Sequence, residues 1–431
     1  MSNDLAQTVM RRIEALGRIS DERQRLTRTF CSPAMRRAND LVAAWMRKAG
    51  MTVREDAIGN VIGRCSVQGP PSIAHSPLSA RRSSQAVACS AEKVLLMGSH
   101  LDTVHDAGRF DGALGVILAI ACVEQLRRSK ARLPFALEVI GFAEEEGVRF
   151  QSTYLGSRVV AGTFDAADLQ RKDADGMTMA EALRRFGGQP TRLRQARFDR
   201  SQLLGYLEAH IEQGPILEQE NLAVGVVTAI AGQARMRFRF IGKAGHAGTT
   251  PMRARRDALC AAAEFVMAVE RCARKRAGLV ATVGQIQAEP NTSNVIPGTV
   301  TVSLDVRHQS DPVRRRAIAQ ICDAAQRLCA ARKMNLAVEV IQATSSVPCS
   351  RRLTAVLKRA AGKHQARVIG LPSGAGHDAA VLAEITPAAM LFVRCKGGIS
   401  HHPAESVNVH DVEVALSVMT DFLVLLASEY E

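Results

Sequence analysis

The spacing of hydrophobic and polar residues changes character twice along this chain. In the first half, continuous apolar runs alternate with helical patterns. VLLMGSH (94–100) reads as a buried strand running into a polar motif, and ALGVILAIACVEQLRR (113–128) as an amphipathic helix. FALEVIGFA (135–143) is a second strand that ends on an acidic triplet, and LLGYLEAHIE (203–212) is a third apolar segment with polar residues near its end. Such alternation predicts an α/β fold with its site outside the carboxyl edge of the strands.

From about residue 232 the period shortens. ARMRFRFIG (234–242) alternates apolar and basic residues, as a half-exposed antiparallel strand does. A helix at 256–275, strands at 279–287 and 299–307, a helix at 311–333 opening on Asp and Pro, and a strand at 336–343 follow. Strand–helix–strand–strand–helix–strand is the order of a ferredoxin-like α+β domain. After Pro348 the α/β texture resumes, through a strand at 388–395 to a C-terminal helix near 410–428. The expected organisation is therefore one domain from 1–231 and 346–431 with a smaller one, 232–345, inserted. Residues 66–92, rich in Ser, Ala, Pro and Arg without periodicity, read as a surface loop.

The chain has 431 residues, 47% hydrophobic and 23% charged, which suits a soluble protein of two domains. The N-terminal 20 residues form a polar amphipathic pattern without a signal-peptide core, and no apolar run is long enough to span a membrane. Ten cysteines without CxxC pairing predict mostly buried, reduced thiols and a cytoplasmic location. The formal charge of +14 comes from arginines spread over every segment, with 3 Tyr and 1 Trp to stack bases. That pattern argues against a nucleic-acid partner and is compatible with a field that attracts a small anionic substrate.

Five candidate metal ligands lie in separate motifs: His100 (GSHLDTV), Asp111 (GRFDGALG), Glu146 (FAEEEGVRF), His210 (LEAHIEQGP) and His401 (GGISHHPAES). Three imidazoles and two carboxylates can hold two divalent ions when one carboxylate bridges them, and Asp111 is the natural bridge. Asp102, two residues beyond His100, can accept the other imidazole N–H and fix its orientation. Of the acidic triplet Glu144–Glu146, Glu146 is assigned as ligand and Glu145 as general base. His401 is preferred over its neighbour His402 because it follows GGIS directly. Glu212 and Gln213 can orient His210 or touch substrate, and His377-Asp378 reads as a cleft-lining pair.

The inserted domain offers His246, to stabilise an oxyanion, with Asn294 and Arg307. Arg307 carries the fork that suits a carboxylate. Taken singly, Asn294 is a turn residue and Arg307 a surface charge. Zn²⁺ or Mn²⁺ fits the N/O donor set.

The motifs GSHLDTV, DAGRFDGALG, EEEGVRFQSTYLGS, HIEQGP, GHAGTTPM, SNVIPG, SGAGHDA and GGISHHPAE, in this order, resemble the hydantoinase/carbamoylase branch of the di-metal peptidase–amidase superfamily. The resemblance covers nearly the whole chain except 66–92. It implies an α/β catalytic domain with a mixed sheet flanked by helices, an inserted ferredoxin-like α+β lid that also makes a homodimer, and a hinge. It also implies one ion on His100, Asp111 and His210 and the other on Asp111, Glu146 and His401. The substrate would contact His246, Asn294 and Arg307, in some members from the partner subunit. Members act on N-carbamoyl-amino acids, N-carbamoyl-β-alanine or allantoate, and these motifs look most like the allantoate group. A metal-free, anion-binding homologue is the non-enzymatic alternative. Phe110 and His402 depart from the usual pattern and are candidates for shaping the pocket.

Overall fold

The structure is a computed structural model and describes residues 2–66 and 92–430; most of the segment 66–92 lies outside the described residues. The chain forms two compact units. The first comprises residues 1–228, 349–371 and 377–431, and the second 229–348 with 372–376.

The first unit opens with α1 (Ser2–Gly17), α2 (Pro33–Lys48), β1 (Thr52–Glu55) and β2 (Val61–Cys65). Then come β3 (Val94–His100), α3 (Ala113–Arg128), β4 (Ala136–Phe142), α4 (Leu155–Ala161), α5 (Met179–Phe186), β5 (Leu203–Ile211), α6 (Ile216–Gln219) and β6 (Val224–Ile230). The second unit contributes β7 (Gly232–Ile241), β8 (Gly245–His246), α7 (Ala258–Arg274), β9 (Val280–Thr282), β10 (Ile286–Glu289) and β11 (Val295–Ile296). It continues with β12 (Thr299–His308), α8 (Asp311–Ala331), β13 (Asn335–Thr344) and β14 (Val347–Pro348). The chain returns through α9 (Arg351–Ala361), β15 (Gly370–Ser373), α10 (Asp378–Leu382), β16 (Ala388–Val393) and α11 (Val409–Ser428).

The large sheet runs β1-β2-β4-β3-β5-β16-β6, with β15 also pairing β6. Its centre is parallel: β3 pairs parallel with both β4 and β5, and β5 with β16. The flanks are antiparallel, so the sheet is mixed. Every residue of β3, β4 and β16 is buried, the mark of central strands covered on both faces.

One face carries α1, α2, α3, α9 and α11 in a single apolar core. The other carries α4 and α5 around Phe30 and Phe150, which meet edge to face. The helix expected to be amphipathic at 113–128 is instead buried on nearly all sides, from Ala113 through Val123, because α1 and α11 pack over it. The amphipathic α1 supplies that cover with Leu5, Val9, Ile13 and Leu16, each worth about 1.5–3 kcal/mol of burial.

The second unit has its own core, built on Phe238, Phe240 and Phe265. Its sheet runs β10-β12-β7-β13, the ferredoxin-like order, and β9 also pairs with β12. The single strand expected at 279–287 is thus two short strands on one partner. Asp311 does not cap α8; Ser310 occupies that position, and the Asp311 carboxylate binds Arg314 and the Ser346 N–H.

The cysteines are less buried than expected. Cys122, Cys329 and Cys395 are buried, Cys260 is exposed, and the other described ones lie between. All nine described cysteines are free. No helix of the described residues is long and apolar enough to cross a membrane.

Candidate metal centre

Four parallel strands deliver the site to their carboxyl edge. His100 is the last residue of β3 and sits opposite Phe142, the last of β4, so the acidic triplet Glu144–Glu146 emerges beside it. His210 on β5 pairs with Phe392 of β16, and the chain leaving β16 carries Ser400, His401 and Glu405. Asp111 lies in the turn that enters α3. Gly112 is required there, because φ is 63° and a Cβ would stand 2.5 Å from the His100 ring.

Asp111 is shared between two donor sets. Its Oδ1 is 3.0 Å from Nε2 of His210 and 3.4 Å from Nε2 of His100. Its Oδ2 is 3.2 Å from Nε2 of His401, which in turn is 3.4 Å from Oε1 of Glu146. Donor atoms of His100, Asp111 and His210 lie within 4.8 Å of one another, as do those of Asp111, Glu146 and His401. The Nδ1 of His210 faces the Ile211 carbonyl at 2.9 Å, and that of His100 faces the Asp102 carbonyl at 3.1 Å. A proton on each Nδ1, donated to its carbonyl, leaves Nε2 as the atom that faces the carboxylate and can bind an ion.

Imidazole nitrogens and carboxylate oxygens this close call for a positive charge between them, a proton or a metal ion. Two donors about 2.0–2.2 Å from a shared tetrahedral ion lie roughly 3.3–3.6 Å apart, close to the separations here. The electrostatics agree. Contact with Asp111, then Glu146, pushes the His401 imidazole up to about 10. Burial opposes the His100 imidazolium, yet Asp102 and Asp111 hold it well above its usual range. The residues present fit two divalent cations.

Asp102 organises this edge. Its carboxylate lies 3.3 Å from Nδ1 of His100 and accepts the backbone N–H groups of Glu145 (3.0 Å) and Glu146 (3.1 Å). One buried carboxylate thus ties β3 to the turn after β4 through charge-assisted hydrogen bonds. Burial, reinforced by Glu146, Asp378 and Asp102, raises the Glu145 carboxyl well above the carboxylate range despite the attraction of His100. A carboxyl whose hold on a proton is strengthened in this way suits a group that accepts and returns one. Glu144 is also buried and raised, and its carboxyl accepts the Gly147 N–H to close the turn.

Other predicted residues take different places. The Gln213 amide donates to Oδ2 of Asp111 (2.9 Å) and to Ser400 (3.1 Å), while its own Oε1 is buried without a hydrogen bond. Glu212 does not touch His210; it accepts the N–H groups of Ile216 and Leu217 at the start of α6. His377 stacks edge-on against His210 with ring centroids 4.5 Å apart, and Asp378 is fully buried. His402 turns outward, its Nδ1 accepting the Ala404 N–H. Phe110 does not line a pocket: it is buried in the apolar core.

His246, Asn294 and Arg307 lie in the second unit. His246 is exposed on β8, opposite Val295, and the Ala247 N–H donates to the Asn294 carbonyl, so those two segments are neighbours. The Arg307 fork is held by Asp305, Nε at 2.9 Å and Nη2 at 3.0 Å, while Nη1 donates to the Gly374 carbonyl. Sequence reasoning missed Ser400 and Glu405. The Ser400 hydroxyl lies 2.8 Å from Oδ2 of Asp111, and Glu405 accepts the backbone N–H groups of Phe110 and Asp111. The only signal was an acid a few residues past the histidine in SHHPAE.

A mixed sheet with this donor set at its carboxyl edge defines a metal-dependent hydrolase. The chain belongs to the peptidase family M20/M25/M40, whose model matches residues 96–424. A probable allantoate deiminase of Oryza sativa subsp. japonica is 40% identical, over 97% of this chain and 87% of the rice protein. An N-carbamoyl-L-amino acid amidohydrolase of Geobacillus stearothermophilus is 39% identical, over 91% of each chain. The crystal structure of a hydantoinase/carbamoylase family amidase from Burkholderia multivorans superposes with a TM-score of 0.85 at 32% identity, covering 97% of both chains.

Proposed function

We propose that this chain hydrolyses a ureido C–N bond of allantoate, releasing ammonia and carbon dioxide and leaving ureidoglycine. The observation that carries the chemistry is the division of Asp111 between two donor sets, with the raised carboxyl of Glu145 beside one of them. Two divalent ions, Zn²⁺ or Mn²⁺, bound by His100, Asp111, His210, Glu146 and His401 would supply Lewis acidity to the ureido carbonyl and acidify a water.

Glu145 takes a proton from the attacking water and delivers it to the departing nitrogen. Water adds to the carbonyl, the C–N bond breaks, ammonia leaves, and the resulting carbamate loses carbon dioxide. Asp102 keeps His100 and the Glu145 turn in register. His246 stabilises the developing oxyanion. Asn294 and Arg307 hold the substrate carboxylate, and the unpaired Gln213 Oε1 offers an acceptor for a ureido N–H. The second unit acts as a lid carrying the substrate residues. It also makes a homodimer, a reading supported by the exposed Val340 (61%) and Ile341 (50%) on β13, the last strand of its sheet.

The allantoate assignment rests on the order of motifs and on the rice relative. The Geobacillus relative favours a second reading, hydrolysis of N-carbamoyl-L-amino acids by the same machinery. Ammonia release from allantoate and from N-carbamoyl-L-amino acids, measured side by side with Mn²⁺-loaded protein, decides between them. Faster turnover of the carbamoyl amino acids would overturn the allantoate assignment.

A further inference from the structure

A carboxylate oxygen has two in-plane lone pairs. On Oδ2 of Asp111 both are already claimed, by Gln213 Nε2 at 2.9 Å and by the Ser400 hydroxyl at 2.8 Å, with His401 Nε2 a third neighbour at 3.2 Å. An ion can bind at Oδ2 only if one donor withdraws, and a buried donor that loses its acceptor costs about 1–3 kcal/mol. The structure provides an alternative acceptor. Oε2 of Glu405 lies 3.2 Å from the Ser400 hydroxyl, and the hydroxyl hydrogen can rotate to it. Once it has, the Ser400 oxygen is free to accept the Gln213 N–H, already 3.1 Å away. Every group stays paired and Oδ2 is released.

The rest of Glu405 is built to hold that position. Its Oε1 accepts the N–H groups of Phe110 (2.7 Å) and Asp111 (3.2 Å), and the residue is 4% exposed. Gly108 leaves room for it, since a Cβ there would stand 2.2 Å from the Glu405 carboxyl carbon. Glu405 touches neither an expected donor atom of the second ion nor any candidate substrate residue. It acts through Ser400.

We propose that Glu405 is a positioning residue: it anchors the Asp111 turn through the backbone and takes the Ser400 hydrogen when Oδ2 of Asp111 is needed by the outer ion. The inference rests on the two-ion reading of the site given above. It assigns Glu405 and Ser400 one joint task, setting the affinity of the ion on the His401 side while leaving the His100/His210 side untouched.

The test is Mn²⁺ binding to the metal-stripped full chain, followed by calorimetry and water-proton relaxation. Glu405→Gln keeps an oxygen for the two backbone N–H groups but turns an NH₂ toward Ser400, so the hydroxyl hydrogen stays on Asp111. The expected result is second-ion binding weakened tenfold or more, with the first ion and the melting temperature of the stripped protein unchanged. In a Ser400→Ala background the same substitution should weaken nothing further, because the competing donor is gone. Unaltered second-ion binding in Glu405→Gln, equal loss of both ions, or a loss that persists in the Ser400→Ala background would each overturn the proposal. Ser400→Ala alone should bind the second ion at least as tightly as the wild type, which keeps the question answerable if Glu405→Gln does not fold; weaker binding would count against it. Fewer than two ions on the wild-type chain would overturn the two-ion reading, and the proposal with it.

Discussion

The two halves of the candidate centre share one aspartate and little else. On the Oδ1 side, His100 and His210 grow from adjacent strands, are 1–3% exposed as side chains, and have their Nδ1 atoms fixed by carbonyls. On the Oδ2 side, His401 stands on a loop, half exposed at 49%, with a backbone φ of 55° that a non-glycine residue seldom adopts. Glu146 is steadied there by its backbone N–H on Asp102. The inner half is prepaid by the sheet, whereas the outer half must be ordered by what binds. Unequal ion affinities follow from that contrast, the outer site being the weaker.

The largest expected effect joins both halves. Glu145→Gln should lower kcat by about 10²–10⁴ while two ions remain bound. Near-normal turnover with full metal content would remove Glu145 from its role as base. Asp102→Asn attacks the inner half through the support of His100. It should weaken the first ion about 10–100-fold, with a smaller effect on the second, as read by Mn²⁺ binding. A loss confined to the second ion would invert the comparison. Arg307→Ala lies outside both halves and should raise KM for allantoate, on the order of tenfold or more, with metal affinity unaltered. The smallest effect is expected of His402→Ala, which faces outward and should leave both metal affinities and turnover within about twofold; a clear loss of the second ion would show that His402 and not His401 completes the outer half.

Much of this was legible because the candidate site residues at strand ends interrupt an apolar pattern. His100, Glu146 and His210 each end or follow a run whose period is unmistakable, so both the sheet and its carboxyl edge could be read together. The support around them was not legible. Glu212 lies two residues beyond His210, but β5 ends at Ile211 and the Glu212 carboxylate accepts the N–H groups of Ile216 and Leu217 at the start of α6 instead. Phe110 adjoins Asp111 yet is buried in the apolar core. Glu405 looks like a solvated acid, and its partners at 110 and 111 are contacts nearly 300 residues distant that no local pattern encodes. The Arg307 fork could be recognised by residue type, but not its engagement by Asp305 on the same strand.

The order of the ligands along the chain also has a temporal meaning. His100, Asp111 and His210 are all synthesised before the second unit begins at residue 229, whereas His401 comes 191 residues after His210. At the usual pace of translation that interval is ~10–40 s. During it, β5 waits without β16, and Asp111 has its inner partners but not His401, Ser400 or Glu405. The nascent protein therefore passes through a stage with half a centre, and its last few dozen residues convert that half into a whole.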